Sequence, residues 1–159
     1  RNQDVCTNGG SLASINSTSG TLYAQIAALA NDGLTRIISL SEDGNIANRI
    51  NMFYISGSNK IRFAVRVNNS NVFDDTVTLS NILDYNKVAL SFKENEFKVF
   101  INGVKEAEQL NGSTYSVNTL DKLNFDQGGG NYNFYGKTKA VAVWKEALSD
   151  QELTELTTI

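Results

Sequence analysis

The sequence lacks the residues on which most catalytic and metal sites depend. It has no histidine and a single cysteine, Cys6, among 159 residues. The absence of histidine excludes the commonest general base and the commonest transition-metal ligand. One cysteine excludes an intrachain disulfide, a cysteine-ligated zinc site and a Cys/His dyad, and we expect Cys6 to be an unpaired residue. These absences favour a binding protein over an enzyme.

Positive charge and long apolar runs are also scarce. The chain carries 14 Lys+Arg against 17 Asp+Glu, with a pI near 4.9, so it lacks the basic excess that nucleic-acid binding needs. No stretch approaches the run of about 18 apolar residues of a membrane helix, and we expect neither membrane insertion nor a secretion signal at the start. Because the chain begins with Arg1 rather than Met, we expect a piece of a longer protein. The length fits one domain over residues 1–159, with an irregular segment at 1–19.

Proline is absent, whereas 20 asparagines and 12 glycines stand between short stretches rich in β-branched and aromatic residues. Asparagine and glycine both tolerate positive φ, so we expect them to form the turns. The spacing predicts an all-β, two-sheet antiparallel β-sandwich. The predicted strands cover residues 21–29, 35–41, 48–56, 60–68, 71–79, 86–93, 96–102, 104–110, 120–126 and 134–145.

The segment from Asn86 to Val104 gives the most detailed local prediction. A two-residue turn at 94–95 would place Phe92 opposite Phe97 on one apolar face. The Asn-Gly pair at 102–103 predicts a type I′ turn, because this turn needs positive φ at both central residues. Continued pairing would then bury two glutamates, so we predict a β-bulge near Lys105 to Ala107.

The chain ends in the pattern of a short helix. Ser149 and Glu152 form a Ser-x-x-Glu capping box, and Leu148 with Leu153 forms a hydrophobic staple. We expect this helix to plug one edge or end of the sandwich. Trp144, at the end of an apolar run, is expected in the core or in an interface rather than in a ligand site.

Several of these stretches resemble a known family. Lys87–Lys93 and Phe97–Val104 resemble the paired strands of laminin-G-like, concanavalin A-like jelly-roll domains. Phe134–Leu153 is similar to the end of that family, a glycine-led strand followed by Ala-Leu-Ser-Asp-x-Glu. The first half matches less sharply, but Thr21–Ala24 and Arg36–Ser41 look like the opening strands of a subgroup from phage tail fibres and bacterial surface proteins.

The resemblance implies a function. Such domains commonly bind glycans or cell-surface ligands, often with calcium, at one end or on the concave face of the sandwich. We therefore expect a non-catalytic carbohydrate or cell-surface recognition module of a tail fibre or adhesin, placed extracellularly or on a virion. Its expected partners are a glycan and the other chains of the fibre, with no nucleic acid. The alternative is a structural or assembly domain of a virion or surface protein.

The same superfamily also raises glycoside hydrolysis as a less favoured alternative. Its hydrolytic members carry a Glu-x-Asp-x-Glu run along one strand, and this chain departs from that pattern. Retaining hydrolysis needs two carboxyl groups about 5–5.5 Å apart, and Glu106 with Glu108 is the one strand pair that could supply them. No third carboxylate or neighbouring Trp supports this pair, so no catalytic residue is predicted.

The glycine-rich stretch 126–132 is the strongest candidate for a ligand loop. Its three glycines leave backbone carbonyls free to approach an ion or a sugar. The candidate contacts are Asp126, Gln127, Asn131 and Tyr132, of which Tyr132 is expected to be exposed. No cofactor is required, but Asp126, Asn131 and Asp74 could supply oxygen ligands for calcium. The alternative for the loop is a mobile turn between two strands.

A second candidate is a polar face formed by two strands. Arg62 and Arg66 alternate with apolar residues on one strand, and Tyr54 lies on the preceding one. An aromatic face together with planar polar groups is what a sugar ring needs, so these three residues are predicted to form a platform. The alternative is an ordinary solvated face, because antiparallel sheets often leave one face in water.

Overall fold

The computed structural model describes residues 4–43, 45–55 and 59–159. It contains the ten predicted strands and the predicted helix, with boundaries shifted by a few residues. Arg1 and the last residue of the predicted 48–56 strand lie outside the described residues. The elements are β1 (Ser19–Ala28), β2 (Arg36–Glu42), β3 (Asn45–Tyr54), β4 (Lys60–Val67), β5 (Ser70–Thr78), β6 (Asn86–Lys93), β7 (Glu96–Ile101), β8 (Val104–Gln109), β9 (Lys122–Asn124), β10 (Gly136–Trp144) and α1 (Asp150–Thr157).

The strands form two antiparallel sheets of five strands, which confirms the predicted sandwich. The sheet with the order β10-β1-β6-β7-β8 is called here the covered sheet, and the sheet with the order β5-β4-β3-β2-β9 the open sheet. Alternate side chains of both sheets point inward, because successive residues of a strand face opposite sides. The core between the sheets includes Leu22, Ile38, Met52, Phe63, Leu90 and Phe97.

The predicted turns are present. Phe92 lies opposite Phe97 in the register of β6 and β7. Asn102 and Gly103 have φ values of 50° and 85°, which suits a type I′ turn. Among the described residues, seven asparagines have positive φ, so asparagine replaces glycine in many of the turns.

The predicted bulge lies in β8. Val99 pairs with Ala107, but the next residue, Phe100, pairs with Lys105, so Glu106 is the extra residue. The bulge resets the alternation and lets Ala107 pack against the core. Without this reset, a glutamate would occupy the inward position of Ala107.

The C-terminal helix begins as predicted. The side chain of Ser149 accepts a hydrogen bond from the Glu152 N–H, and the Glu152 carboxylate accepts one from the Ser149 N–H at 2.8 Å. Leu148 and Leu153 are both buried in one apolar cluster. No helix among the described residues is long and apolar enough to cross a membrane.

The position of the helix differs from the prediction. It packs against β6, β7 and β8 and covers the outer face of the covered sheet, so the expectation that it plugs an edge or end is wrong. The cause is a set of apolar residues on that outer face, including Tyr23 and Phe100. Trp144 lies in the same layer, with its ring edge-on to Tyr23 at 6.3 Å, as expected for a packing residue.

Candidate functional site

The outer face of the open sheet carries side chains in three rows across β4, β3 and β2. Register places Arg49, Asn51 and Phe53 of β3 in the middle of these rows. We call this surface the open face. Its rows are Arg66, Arg49 and Ser41; Ala64, Asn51 and Ser39; and Arg62, Phe53 and Ile37.

Arg62 is held by a neighbour on the adjacent strand. Its guanidinium donates two hydrogen bonds to the two carboxylate oxygens of Asp74, one of them at 2.6 Å. These hydrogen bonds raise the pKa of Arg62. The guanidinium also lies over the ring of Phe53, 5.6 Å from its centroid. The charge of Arg62 is therefore already neutralised within the protein.

Arg66 and Arg49 are arranged differently from Arg62. They lie directly opposite each other on β4 and β3, and no carboxylate of the described residues forms an ion pair with either. Burial and the charge of Arg66 lower the pKa of Arg49. When the Asn51 amide is oriented so that both of its polar atoms are hydrogen-bonded, its oxygen accepts from the Arg49 Nε at 3.0 Å. The buried Nε of Arg66 has no partner among the described residues.

Tyr54 does not belong to this platform, which corrects the prediction. Its side chain is 1% exposed and stacks on Phe134 in the core, with the ring centroids 6.2 Å apart. Met52 of β3 points into the core. Tyr54, two residues further along the strand, points to the same side, because a shift of one residue would turn a side chain to the opposite face. Phe53, the adjacent residue, is the aromatic side chain beside Arg62. Burial raises the pKa of Tyr54.

The glycine-rich stretch 126–132 packs over the open sheet. A Cβ atom on Gly128 would lie 2.6 Å from the Cβ of Ser41, and one on Gly129 would lie 2.9 Å from a methyl carbon of Ile46. The φ of Gly128 is +94°, which only glycine adopts without strain. Glycine therefore allows the loop to approach the sheet closely, and the loop borders the open face on its β2 side.

Two backbone hydrogen bonds fix the far end of this stretch. The Gln127 N–H donates to the carbonyl of Asn131, and the Ile37 N–H donates to the carbonyl of Tyr132, both at 3.0 Å. The second of these hydrogen bonds ties the stretch to β2. Tyr132 has φ of 58° and a side chain that is 57% exposed. Positive φ in a bulky residue is strained, and such strain clusters at ligand sites.

The three predicted calcium ligands do not converge. Asp126 is 8% exposed, and its carboxylate accepts a hydrogen bond from the Gly128 N–H at 2.5 Å. Asp74 lies on β5, at the opposite edge of the sheet from β9, and is paired with Arg62. Among the described residues, no group of three His, Cys, Asp or Glu side chains could hold a metal ion. As a set, Asp74, Asp126 and Asn131 do not fit calcium.

A cleft of about 500 Å³ lies where the stretch 130–135 meets the loop between β1 and β2. We call it the end cleft. It combines the exposed apolar side chains of Leu34, Tyr132 and Tyr135 with the amides of Asn131 and Asn133. Its lining residues are Gly33, Leu34, Thr35, Gly130, Asn131, Tyr132, Asn133 and Tyr135.

Sequence reasoning found one wall of the end cleft and missed the other. Tyr132 was expected to be exposed, and this is confirmed. The wall at 33–35 was missed, although one signal was present. Leu34 is an apolar residue next to the turn pair Asp32-Gly33, where a buried position is not expected.

The comparisons with known proteins agree with this architecture. The family model described as the concanavalin A-like lectin/glucanases superfamily matches residues 1–154. The chain belongs to this superfamily. No curated protein has a significantly matching sequence.

Solved structures similar to this lectin/glucanase-superfamily domain include a trans-sialidase, a sialidase module and an arabinanase domain. The leech intramolecular trans-sialidase complexed with 2,7-anhydro-Neu5Ac is 22% identical, with a TM-score of 0.71 over 90% of this chain. The CBM40 of the Ruminococcus gnavus IT-sialidase, bound to α2,3 sialyllactose, is 20% identical, with a TM-score of 0.68 over 89%. Domain 4 of an extracellular arabinanase from Geobacillus stearothermophilus, in complex with arabinotriose, is 12% identical, with a TM-score of 0.71 over 91%.

The three similar structures differ in the share of their own chain that this domain covers. The chain spans 24% of the leech enzyme, 83% of the Ruminococcus gnavus module and 68% of the arabinanase domain. Because all three identities are below 25%, the similarity establishes the fold of this superfamily domain, and function has to be argued from its own residues.

The strand carboxylates of this superfamily domain lie away from both candidate sites. Glu106 is the extra residue of the bulge. The carboxylate of Glu108 lies 3.2 Å from the Nζ of Lys105 and 3.9 Å from that of Lys98. Both glutamates lie on β8 of the covered sheet, away from the end cleft and the open face.

Proposed function

We propose that this domain is a non-catalytic carbohydrate-recognition module that binds an oligosaccharide in the end cleft. The observation that carries the proposal is Tyr132, whose exposed ring borders the cleft while its backbone is held at positive φ. A sugar ring stacks its apolar side on an aromatic face and offers hydroxyls to planar polar groups. Tyr132 and Tyr135 supply aromatic surface, and Asn131 and Asn133 supply amides.

The composition of the cleft supports binding without catalysis. None of the described residues that line it is acidic, whereas hydrolysis of a glycosidic bond uses a pair of carboxyl groups. The similar structures that contain bound oligosaccharides support a glycan as the ligand class. We propose that no cofactor is required, so a chelator should leave the affinity unchanged.

The proposed setting is an extracellular surface, on a phage tail fibre or a bacterial adhesin. A single shallow cleft of this kind is expected to bind a glycan weakly. Several copies on one fibre would raise the effective concentration and turn a weak contact into stable attachment. The fold shared with extracellular carbohydrate-binding modules supports this setting.

The test is a glycan array with the chain displayed in multivalent form, followed by calorimetric titration of the best ligand. Tyr132→Ala should lower the affinity about tenfold, because stacking and the ordered cleft wall are both lost. Leu110→Ala is the matched control, since Leu110 is also an exposed apolar residue but does not line the cleft. It should bind as the unchanged protein does.

Three results would contradict the proposal. Equal affinity of Tyr132→Ala and Leu110→Ala for a bound glycan would remove the end cleft as the binding site. Silence across a broad multivalent array, together with self-association of the chain, would favour the structural or assembly alternative instead. Release of a shortened sugar from a polysaccharide would overturn the non-catalytic assignment.

A further inference from the structure

The two arginines Arg49 and Arg66 of the open face form an unbalanced positive pair. They are directly opposite on adjacent antiparallel strands and both half-buried. Like charges in this position lower stability, because side chains directly opposite on one face lie close together. The third arginine of the face, Arg62, is bound to both oxygens of Asp74. The uncompensated charge is thus confined to one corner of the open face.

Near the pair, two buried polar atoms have no hydrogen-bond partner among the described residues, the Nε of Arg66 and the Oγ of Ser39. Ser39, on the central row of the open face, is fully buried next to Gly128 of the glycine-rich stretch, whereas Arg66 is partly exposed. A buried polar group without a partner costs free energy, so such groups mark places where a partner is expected. The side chain of Asn51 lies between the two, beside Arg49.

The arginine pair lies at one end of the open face. Ala64, on the central row between Arg62 and Arg66, is buried. The stretch 126–132 stands over Ser41 and closes the β2 side. The open face therefore has a neutralised arginine with an aromatic ring at one end and an uncompensated arginine pair at the other.

We propose that the open face binds an acidic glycan, with the anionic group of the sugar on the guanidiniums of Arg49 and Arg66. This inference rests on the proposed carbohydrate-recognition function and adds a second site, separate from the end cleft, whose ligand is an acidic sugar. A guanidinium presents planar donors that match carboxylate and sulfate oxygens, and hydrogen bonds between charged partners are about twice as strong as neutral ones. The anion would also remove the repulsion between the two arginines.

The test is calorimetric titration with 3′-sialyllactose, digalacturonate and 6-sulfated lactose, each compared with neutral lactose. At least one acidic sugar should bind more tightly than lactose, and added salt should weaken it selectively. Arg66→Gln and Arg49→Gln should each lower that affinity about tenfold or more. Comparison of the carboxylated sugars with the sulfated sugar shows which anionic group the arginines bind.

The double variant R62Q/D74N is the matched control. It removes an arginine from the same strand and face while keeping the net charge, so the preference for the acidic sugar should remain. Arg49→Gln should not lower the thermal midpoint of the free protein, because it relieves a like-charge contact. A lower midpoint with unchanged affinity would assign the arginine pair to structure and overturn the inference.

The remaining outcomes separate this inference from the proposed function. If lactose binds as tightly as the acidic sugars and Tyr132→Ala abolishes binding, the acidic-glycan inference fails and the recognition function stands. If no glycan of the broad array, neutral or acidic, binds the multivalent chain, both fail. Acidic-sugar binding that is lost in Arg66→Gln but kept in Tyr132→Ala supports the inference and places the ligand on the open face.

Discussion

Phe53 and Tyr54 are adjacent in the sequence, yet one lies on the outer face of the sandwich and the other in the core. Their difference shows that a shift of one residue along a strand decides whether a side chain is buried or available to a ligand. The same holds for Arg62 and Arg66, which share one face of β4. Arg62 is neutralised because Asp74 of β5 lies beside it, and Arg66 faces Arg49 instead.

At the residue scale, Gly128 offers the clearest prediction. Gly128→Ala should lower the free energy of unfolding by about 1–3 kcal/mol, because it strains the backbone and forces a Cβ against Ser41. Urea unfolding measures this loss. Gly130→Ala is the matched control, since Gly130 also has positive φ, at 80°, but has open space where its Cβ would lie.

Gly130→Ala should lower the free energy of unfolding only by the conformational cost of alanine at positive φ. A smaller loss for Gly128→Ala than for Gly130→Ala would contradict close packing of the loop on the open sheet. Gly128→Ala should also weaken glycan binding, because the loop positions Tyr132 at the end cleft.

At the scale of elements, the helix α1 decides which side of the sandwich is free. It buries Leu153 against the outer face of the covered sheet, next to Phe100. That face is consequently unavailable to a ligand where the helix lies. On the open sheet, the glycine-rich stretch lies over Ser41 of β2, whereas the three arginines of β3 and β4 are partly exposed on its outer face.

The capping of α1 is testable. Ser149→Ala should lower the free energy of unfolding by about 1 kcal/mol, because the side-chain oxygen no longer accepts the Glu152 N–H. Gln151→Ala, on the exposed side of the same helix, should change the stability by only a few tenths of a kcal/mol. Chemical unfolding of the two variants measures the difference. Equal losses would mean that the cap does not contribute.

At the scale of the whole molecule, the ion pairs that join α1 to the covered sheet predict acid sensitivity. Hydrogen bonds from Lys105 and Lys98 lower the pKa of Asp150. Burial alone would raise the pKa of Glu96, but hydrogen bonds from Lys93 and Lys98 outweigh it and lower that pKa. A folded-state pKa below the unfolded value contributes stability above the unfolded pKa, and this stability is lost as the pH falls through the folded-state pKa.

The free energy of unfolding should therefore be highest near neutral pH and fall below about pH 4, where these carboxylates become protonated. Denaturant unfolding across the acidic range measures the slope. Lys98→Gln should flatten it, because Lys98 lies 2.8 Å from Asp150 and 3.2 Å from Glu96. An unchanged slope in this variant would contradict the role of these ion pairs.

The sequence alone determined the local features of this protein. The alternation around Phe92 and Phe97, the Asn102-Gly103 turn, the bulge at Glu106 and the cap at Ser149 were all predictable. Each depends on residues close together in the chain or on a strict period of two, so nearby sequence contains the necessary information.

The tertiary structure alone decided which of the polar residues lie together. Sheet order separates Asp74 from Asp126, and it places Arg49 opposite Arg66. The packing of α1 covers the outer face of β6, β7 and β8, and the loop at 33–35 completes the end cleft. These relations join segments distant in the chain, and the strand pattern fixes what faces inward without specifying which strands become neighbours.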